Sequence, residues 1–397
     1  MESPEIDVQV SYAPIGVKQR GITLGLPRNS TQEDRRFPLT PEAVRTLTED
    51  FEFKVFVESD AGKEIHYSDS SYLRNGAIIC DRAATLGADI VISAAELSVN
   101  DIKLMRKNAT VWTIIPPHRL ARPLVESVNQ KAVTMLSLTA LITSEGHRPV
   151  WDILSEIDGR AAIAVAAGLL ADGVHGKGIL LGGVTGIVPC EVVVIGCGTP
   201  GIAAARSACG LGATVRIFDN DVCRLRQAQI ALGSGIIGSS IHRNVYLKAL
   251  QSADVIINTL VGEECIAARI NSDEVTILKR GVILFDFNGN EGTVFPSVKH
   301  IDLSPAADRY PDLTERICFV NPGNAVPRTS AMALSNVLVP LLSSLAMSAD
   351  RTFMDAARMN TFLRSGIVTF GGKLVNHETA VTTGLKWFDP DLFLHMS

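Results

Sequence analysis

Residues 191–221 read EVVVIGCGTPGIAAARSACGLGATVRIFDND, and this stretch decides the fold. The β-branched run at 192–195 predicts a buried strand, 202–211 predicts an alanine-rich helix, and 214–218 predicts the next strand. The motif G-x-G-x-x-G, formed by Gly196, Gly198 and Gly201, lies between the first strand and the helix. The six-residue motif alone would be weak evidence, but in this context it is typical of a dinucleotide-binding βαβ unit.

Each part of this loop has a physical reason. Gly196 permits a tight turn, Gly198 lets the backbone approach a pyrophosphate, and Gly201 allows the helix to pack closely on the strand. Thr199 and Pro200 complete the loop, and the first turn of the helix offers unpaired N–H groups and a positive dipole end to phosphates.

Asp219 follows the second strand of this unit, 18 residues after Gly201. Its carboxylate is predicted to accept both hydroxyls of an adenosine ribose, which favours NAD because the charge would repel a 2′-phosphate. Arg216 and Arg224 lie nearby and leave NADP as an alternative, although Arg216 alternates within the strand and is expected to be solvated. A glycine-rich turn that binds no nucleotide is the third interpretation.

The rest of the chain continues the alternation of strands and helices. The segment Thr40-Pro41-Glu42 has the cap, proline and acidic residue of a helix start. Residues 151–170 predict a long helix that bridges two domains. We predict an α/β protein in which two Rossmann-like domains with parallel sheets face each other across a cleft. The predicted strands besides those above are 21–27, 54–57, 88–94, 109–115, 254–259 and 282–287.

The composition is that of a globular enzyme. The chain has 397 residues, 46% of them hydrophobic, and a net charge of −5 from 37 basic and 42 acidic residues, so nucleic acid is not an expected partner. The seven cysteines form no CxxC pair, which predicts reduced core thiols and no zinc site. The N-terminus does not read as a signal peptide, and we expect a cytoplasmic protein.

Residues 329–349 carry no charge and are long enough to cross a bilayer. Six serine or asparagine side chains and Pro340 interrupt the stretch, and no aromatic residue anchors it at an interface. These features favour a buried helix and no membrane association.

The chain resembles the alanine dehydrogenases and the NAD-binding component of the proton-translocating transhydrogenases, from about residue 21 to about residue 376. The stretches that carry the resemblance are RRFPLTPEAV (35–44), LSEIDGRAA (154–162), KGILLGGVTGIVPCEVVVIGCGTPG (177–201) and VNPGNAVPRTSAMALSN (320–336). The resemblance implies a discontinuous substrate domain, 1–150 and 325–397, with an NAD-binding domain inserted at 151–324. It also implies an NAD-dependent amino-acid dehydrogenase that binds a small amino acid or 2-oxo acid, and a homo-oligomer.

Residue roles follow from the same resemblance. Arg36 is expected to bind the substrate carboxylate, with Arg35 the less favoured candidate, because a guanidinium fork suits a bidentate carboxylate contact. His118, displaced relative to the family's catalytic histidine, is the candidate acid-base residue. The further expected cofactor contacts, besides the glycine loop and Asp219, are Ser155, Arg224, Leu260, Val261, Asn321 and Pro322.

Three positions depart from the family pattern. The substrate-binding lysine is replaced by Ala95, or by Glu96 if the alignment shifts by one. The catalytic aspartate aligns with Asn290, which can donate a hydrogen bond but cannot act as a base. The nearest carboxylate, Asp286, is expected to be structural. Thr139 lies near the place of a metal-holding glutamate, so we predict no metal.

These departures leave several functions open. The first is an alanine dehydrogenase with Arg36 and His118 in the roles above. The second is an NAD(H)-binding member that has lost amino-acid oxidation and serves as a sensor or structural partner. A third is a dehydrogenase of a different amino or imino acid whose pocket uses Glu96, His118 and Asn290. A transhydrogenase component is least favoured, because it would need a membrane partner.

Overall fold

A computed structural model describes residues 21–30, 34–288, 293–303, 316–347, 353, 356–357 and 360–389 of the protein. Two sheets with helices on their faces make up the fold, as the sequence predicts. The helices are α1 Pro41–Glu49, α2 Asp69–Arg74, α3 Arg82–Leu86, α4 Val99–Leu104, α5 Arg122–Lys131, α6 Pro149–Ala171, α7 Thr199–Gly210, α8 Val222–Leu232, α9 Arg243–Ser252, α10 Glu264–Ala268, α11 Ser272–Thr276, α12 Pro327–Ala346, α13 Thr361–Ser365 and α14 His377–Thr383. Short 3-10 turns lie at Lys63–Ile65, Pro117–Arg119, Leu138–Ala140, Gly233–Gly235 and Pro322–Ala325.

The first sheet combines strands from both parts of the chain. Its strands are β1 Thr23–Leu26, β2 Lys54–Glu58, β3 Ile78–Cys80, β4 Ile90–Ser93, β5 Thr110–Thr113, β6 Thr134–Ser137, β14 Ile367–Phe370 and β15 Lys373–Leu374. The order is β15-β14-β6-β5-β4-β1-β2-β3, and β1 to β6 are parallel.

The predicted parallel pairing does not extend to one edge of this sheet. Strand β14 runs antiparallel to β6, and β15 runs antiparallel to β14. Gly371 and Gly372 join β14 to β15 with φ of +55° and +77°. Two consecutive residues with positive φ match the twist of a tight hairpin, so the chain reverses there and cannot continue in parallel.

The second sheet lies in the middle of the chain and is parallel throughout. It consists of β7 Glu191–Ile195, β8 Thr214–Phe218, β9 Ile236–Ser239, β10 Val255–Asn258, β11 Ile283–Asp286, β12 Lys299–Asp302 and β13 Ile317–Val320, in the order β12-β13-β11-β10-β7-β8-β9. Its central strands β7, β10 and β11 are almost continuously apolar, because helices cover both faces. The domain boundaries at 150/151 and 324/325 stay predictions.

Helix α6 is the predicted bridge. Val150 and Leu154 near its start are buried in the core of the first sheet, whereas Ala162 and Leu169 further on belong to the core of the second. At Gly159 a side chain would place Cβ 2.3 Å from the carbonyl oxygen of Pro200, so glycine is required where α6 crosses the start of α7. The helix therefore fixes one sheet relative to the other.

Helix α12 contains most of the uncharged segment 329–349, which was considered above as a membrane span. Among the described residues it is the one helix long and apolar enough to cross a bilayer, and half of its most apolar window is buried. Leu334, Leu338 and Leu342 lie in the core of the first sheet, and the Ser335 hydroxyl accepts a hydrogen bond from the Thr40 amide at 3.0 Å. This packing supports the buried-helix interpretation.

The cysteines do not all match the expectation of core thiols. All seven are free, and Cys190, Cys197, Cys265 and Cys318 are buried, but Cys223 is exposed on α8. The exposure arises because the outer face of α8 points away from the second sheet, where only Leu225 and Ala228 of this helix are buried.

Candidate active site

A cleft of about 500 Å³ opens between the two sheets. Its walls come from the segments that follow the carboxyl ends of strands in both sheets, which is where open α/β sheets bind their ligands. The first sheet contributes residues that follow β1, β5 and β6, and the second contributes residues that follow β7, β8, β10, β11 and β13. Helix α6 forms the wall between them.

The glycine loop forms part of the cleft wall, and each of its glycines is required for a different structural reason. A Cβ at Gly196, where φ is +104°, would lie 2.5 Å from the Thr259 hydroxyl. A Cβ at Gly201 would lie 2.0 Å from the Gly196 carbonyl oxygen, and Gly201 supports the loop without lining the cleft. A Cβ at Gly198 would meet nothing closer than 3.7 Å. The bare backbone at Gly198 therefore leaves room for a ligand, as a pyrophosphate requires.

Asp219 lies at the end of β8, next to this loop. Its side chain is 1% exposed; Oδ2 accepts a hydrogen bond from the Cys197 amide and Oδ1 accepts from the Asp221 amide, both at 2.8 Å. Nη2 of Arg224 donates to Asp219 at 3.0 Å and to Glu264 at 2.9 Å. A carboxylate oxygen can accept two hydrogen bonds, so Oδ2 retains one position for a ribose hydroxyl. The carboxylate of Asp221 lies 3.6 Å from Arg224 Nε, so three carboxylates surround this arginine and disfavour a 2′-phosphate.

Helix α6 presents four side chains to the cleft at helical spacing: Trp151, Leu154, Ser155 and Asp158. Positions i, i+3, i+4 and i+7 share one face, so Ser155, the expected cofactor contact, lies beside Asp158. Ser155 is buried, and its hydroxyl makes no hydrogen bond within the described part of the chain. Leu260 and Val261 line the cleft from the second sheet, and their role as cofactor contacts stays a prediction.

Arg36 lines the cleft, but its guanidinium already has a partner. Nε donates to Asp34 Oδ1 at 2.9 Å and Nη2 donates to Asp34 Oδ2 at 2.5 Å. Burial opposes its charge, but the carboxylates of Asp34, Asp158 and Asp302 outweigh that effect and raise the pKa of Arg36, so it stays cationic. Arg35 donates to Glu64 instead and does not line the cleft, so the geometry favours Arg36 as the anchor.

His118 lies in the turn Pro117–Arg119, and its ring faces the cleft. Nδ1 lies 3.0 Å from Oε1 of Glu378, a residue in the first turn of α14. The Thr379 hydroxyl donates to the Pro117 carbonyl oxygen at 3.0 Å and ties the same helix to this turn. A carboxylate on one ring nitrogen fixes the tautomer and leaves Nε2 for substrate. Sequence reasoning missed Glu378, which is 260 residues away.

Asp158 is the second residue that sequence reasoning missed. Oδ1 accepts a hydrogen bond from the Gly323 amide at 2.9 Å, and a Cβ at Gly323 would lie 2.3 Å from this oxygen. Burial raises the pKa of Asp158 to about 6, although Arg36 and the Gly323 amide favour its ionised form. The only sequence signal was an acidic residue on the inner face of a long apolar helix.

The segment Pro322–Ala325 closes the far side of the cleft. Asn321, with φ of +51°, donates to Asp302 at 2.8 Å, and the Asn324 side-chain amide donates to the other oxygen of Asp302 at 3.1 Å. Asn321 lines the cleft as expected. Pro322 is buried behind it and does not line the cleft, so its role as a cofactor contact stays a prediction.

Several other expected positions fall outside the cleft. Ala95 and Glu96 lie beside a separate small pocket behind β4 and β5. Arg216 pairs with Glu191 at 3.1 Å and faces away from the cofactor side. Asp286 is fully buried and accepts four hydrogen bonds, so it is structural, as expected. The lysine position therefore has no substitute from β4 in the cleft.

Asn290, assigned to the position of the catalytic aspartate, lies outside the described residues. Thr139 lines the cleft and its hydroxyl lies 3.1 Å from that of Ser137. Within the described ranges no group of three or more His, Cys, Asp or Glu side chains is arranged to hold a metal. The absence of a metal from the protein stays a prediction.

The cleft fits a dinucleotide. The open approach at Gly198, the dipole of α7 and the remaining acceptor position of Asp219 match a pyrophosphate and a ribose. These residues belong to the second sheet, and Arg36, His118 and Asp158 line the same cleft.

Comparisons with known proteins agree with this architecture. Models of the N-terminal and C-terminal domains of the alanine dehydrogenase/PNT family match residues 25–157 and 162–377. The alanine dehydrogenase of Mycolicibacterium smegmatis is 30% identical over 376 residues, covering 94% of this chain and 99% of that protein. The alanine dehydrogenase of Geobacillus stearothermophilus is 28% identical over 378 residues, covering 94% and 99%.

Solved structures give the same result. An L-alanine dehydrogenase superposes with a TM-score of 0.78 at 26% identity, covering 91% of this chain and 99% of that chain. A transhydrogenase from Sinorhizobium meliloti superposes with a TM-score of 0.69 at 17% identity, covering 89% and 99%, and shares the fold.

Proposed function

The chain belongs to the alanine dehydrogenase/PNT family, and from this premise we propose that it oxidises a small amino acid with NAD. The reaction converts L-alanine, NAD and water to pyruvate, ammonium, NADH and a proton, or is the equivalent reaction of a related amino or imino acid. The observation that carries the proposal is the cleft, which joins a dinucleotide loop to Arg36 and a carboxylate-bound His118.

The residues of the cleft supply the functions that this chemistry needs. Arg36 binds the substrate carboxylate through Nη1, which makes no hydrogen bond within the described residues. His118 moves protons at the substrate nitrogen and at the attacking water through Nε2, while Glu378 holds the ring through Nδ1. When bound, NAD accepts the hydride that leaves the substrate carbon. The closed walls of the cleft orient the substrate toward the glycine loop.

The test is the loss of NADH absorbance with ammonium and a panel of 2-oxo acids, beginning with pyruvate. We expect turnover, and we expect Arg36→Ala and His118→Ala each to lower kcat/KM by about a hundredfold or more while NADH still binds. Exposed residues of the same types provide matched controls: Arg45→Ala on α1 and His147→Ala leave the rates unchanged. Unchanged rates in the Arg36 and His118 variants would remove these two assignments.

A second function is favoured by the Arg36–Asp34 ion pair. A guanidinium already bound by its own neighbour is a weaker anchor for a substrate carboxylate, which suits a protein that binds NAD(H) as a sensor or structural partner. In that case NADH binds, no 2-oxo acid is turned over, and Asp34→Asn does not create activity. Asp219→Ala weakens NADH binding under either function.

We also propose a homo-oligomer. The loop that follows α6 exposes several apolar side chains, among them Val174 and Val188 at 83% and 85% exposure. Apolar side chains grouped in this way commonly mark contacts between subunits. Light scattering coupled to gel filtration should give a multiple of the chain mass, and Val174→Asp with Val188→Asp should lower it. A monomeric mass for the unmodified protein would refute this proposal.

We propose a cytoplasmic location on the basis of the cysteines. All seven are free, as in proteins of a reducing compartment. Fractionation of the source cells, followed by immunodetection, tests this, and recovery in a membrane or secreted fraction would contradict it.

A further inference from the structure

Asp158 has features that its place in a helix does not explain. Oδ1 is held by the Gly323 amide at 2.9 Å, whereas Oδ2 makes no hydrogen bond within the described residues. The side chain lines the cleft between Ser155 and the segment that contains Asn321. The carboxylate is therefore fixed through one oxygen and offers the other to the cleft.

The charges around Asp158 are arranged for a ligand with both signs. Arg36 and Arg119 line the same cleft and their charges favour the ionised carboxylate, whereas Asp34 disfavours it. Asp34 is paired with Arg36, and Nη2 of Arg119 donates to the Asn288 carbonyl oxygen at 3.3 Å. Within the described residues, the hydrogen bond to Asp158 comes from the Gly323 amide. The part of the cleft around Asp158 thus has cationic groups and one open anionic oxygen.

The ionised carboxylate of Asp158 lowers the free energy of unfolding of the protein. Burial disfavours its charged form, and an apolar residue at this position of α6 would avoid that cost. Ionisable groups held in a cleft against their own solvation are characteristic of binding and catalytic sites. The Gly323 contact alone does not require a charge, because an amide oxygen accepts the same hydrogen bond.

We propose that Oδ2 of Asp158 binds the amino group of the substrate while Arg36 binds its carboxylate. This inference rests on the proposed function and specifies how the site selects its substrate class. An α-amino acid carries an ammonium and a carboxylate on the same carbon, so its recognition needs an anion and a cation close together. A 2-oxo or 2-hydroxy acid has no ammonium and gains nothing from Asp158.

The KM values measured in the two directions of the reaction separate this binding role of Asp158 from a purely structural one. Asp158→Asn keeps the acceptor for the Gly323 amide and removes the charge. We expect it to raise the KM for ammonium, and the KM for L-alanine, by about tenfold to a hundredfold, the usual effect of one charge-assisted hydrogen bond. The KM for pyruvate should change by less than about twofold. Asp158→Glu, which keeps the charge, should recover part of the loss.

The matched control is Glu156→Gln. Glu156 lies two residues away on the same helix, pairs with Arg160 on the outer surface, and does not line the cleft. It should leave all KM values unchanged. Equal increases in the KM for ammonium and for pyruvate in Asp158→Asn, or no increase in either, would overturn the inference.

A binding measurement keeps this inference separate from the proposed function. Calorimetric titration of NADH-bound protein with L-alanine, and separately with pyruvate, needs no turnover. If the protein turns over no 2-oxo acid but binds L-alanine less tightly in Asp158→Asn, the proposed function fails and the inference stands. If turnover is present and L-alanine affinity is independent of Asp158, the function stands and the inference fails. Binding of neither probe to the unmodified protein would overturn both.

Discussion

Replacing Asp158 by Asn should make the folded protein more stable, and more so as the pH rises. Burial raises the pKa of Asp158 from 3.8 to about 6, a difference that corresponds to at most about 3 kcal/mol. Well below pH 3.8 the carboxyl is protonated in both folded and unfolded chains, so it does not change the free energy of unfolding. As the pH rises toward about 6, the unfolded chain releases the proton freely and the folded chain does not, so stability is lost.

Asn cannot ionise, and its amide oxygen still accepts the Gly323 hydrogen bond. The expected gain in the free energy of unfolding is therefore up to about 3 kcal/mol at pH 8 and about half of that at pH 5. Urea unfolding of the cofactor-free protein, followed by tryptophan fluorescence at both pH values, measures the difference between variant and unmodified protein.

Glu156→Gln is the control for this measurement as well. It removes an exposed carboxylate that pairs with Arg160 one turn along α6, and such pairs contribute about 0.3–0.5 kcal/mol. We expect a shift of that size or smaller at pH 5 and at pH 8. A stability difference for Asp158→Asn that is the same at both pH values, or smaller at pH 8, would refute the reasoning about burial of this carboxyl.

Two other sites give predictions with clear readouts. Gly201→Ala places a methyl group 2.0 Å from the Gly196 carbonyl oxygen and should destabilise the fold by about 1–3 kcal/mol in thermal unfolding. In Gly198→Ala the added methyl group meets nothing closer than 3.7 Å, so stability should stay nearly unchanged. The same variant should bind NADH less tightly in a fluorescence titration. Glu378→Gln should lower kcat by about tenfold or more and shift the pH profile of kcat without changing NADH affinity, because it alters how the ring of His118 is held. An unchanged pH profile would contradict that positioning role.

Much of the candidate site could be predicted because its constraints are local. The glycine loop, Asp219 at the end of β8 and the Thr40 cap of α1 each depend on residues within a few positions of one another. The hairpin at Gly371 and Gly372 has an equally local signal, and a closer interpretation of that pair would have predicted the antiparallel edge.

The missed residues depend on contacts between distant parts of the chain. Glu378 contacts His118, which is 260 positions away in the sequence, and the Gly323 amide donates to Asp158, which is 165 positions away. In the sequence, Glu378 reads as an acidic residue in the first turn of a helix and Asp158 as a polar interruption in an apolar one. Only the closure of the first sheet by C-terminal strands, and the packing of α6 against the turn Pro322–Ala325, gives these side chains their partners.

The sequence by itself determined the α/β class, the dinucleotide loop and the bridging helix, because backbone sterics and hydrophobic periodicity act between near neighbours. The tertiary structure alone decided which charged groups share the cleft and which are already paired. Arg36 and Arg35 are adjacent in the chain, yet one faces the cleft and the other pairs with Glu64. Charge pairing and burial depend on distances in space, and a raised pKa such as that of Asp158 arises only once the fold has placed the carboxyl in the wall of the cleft.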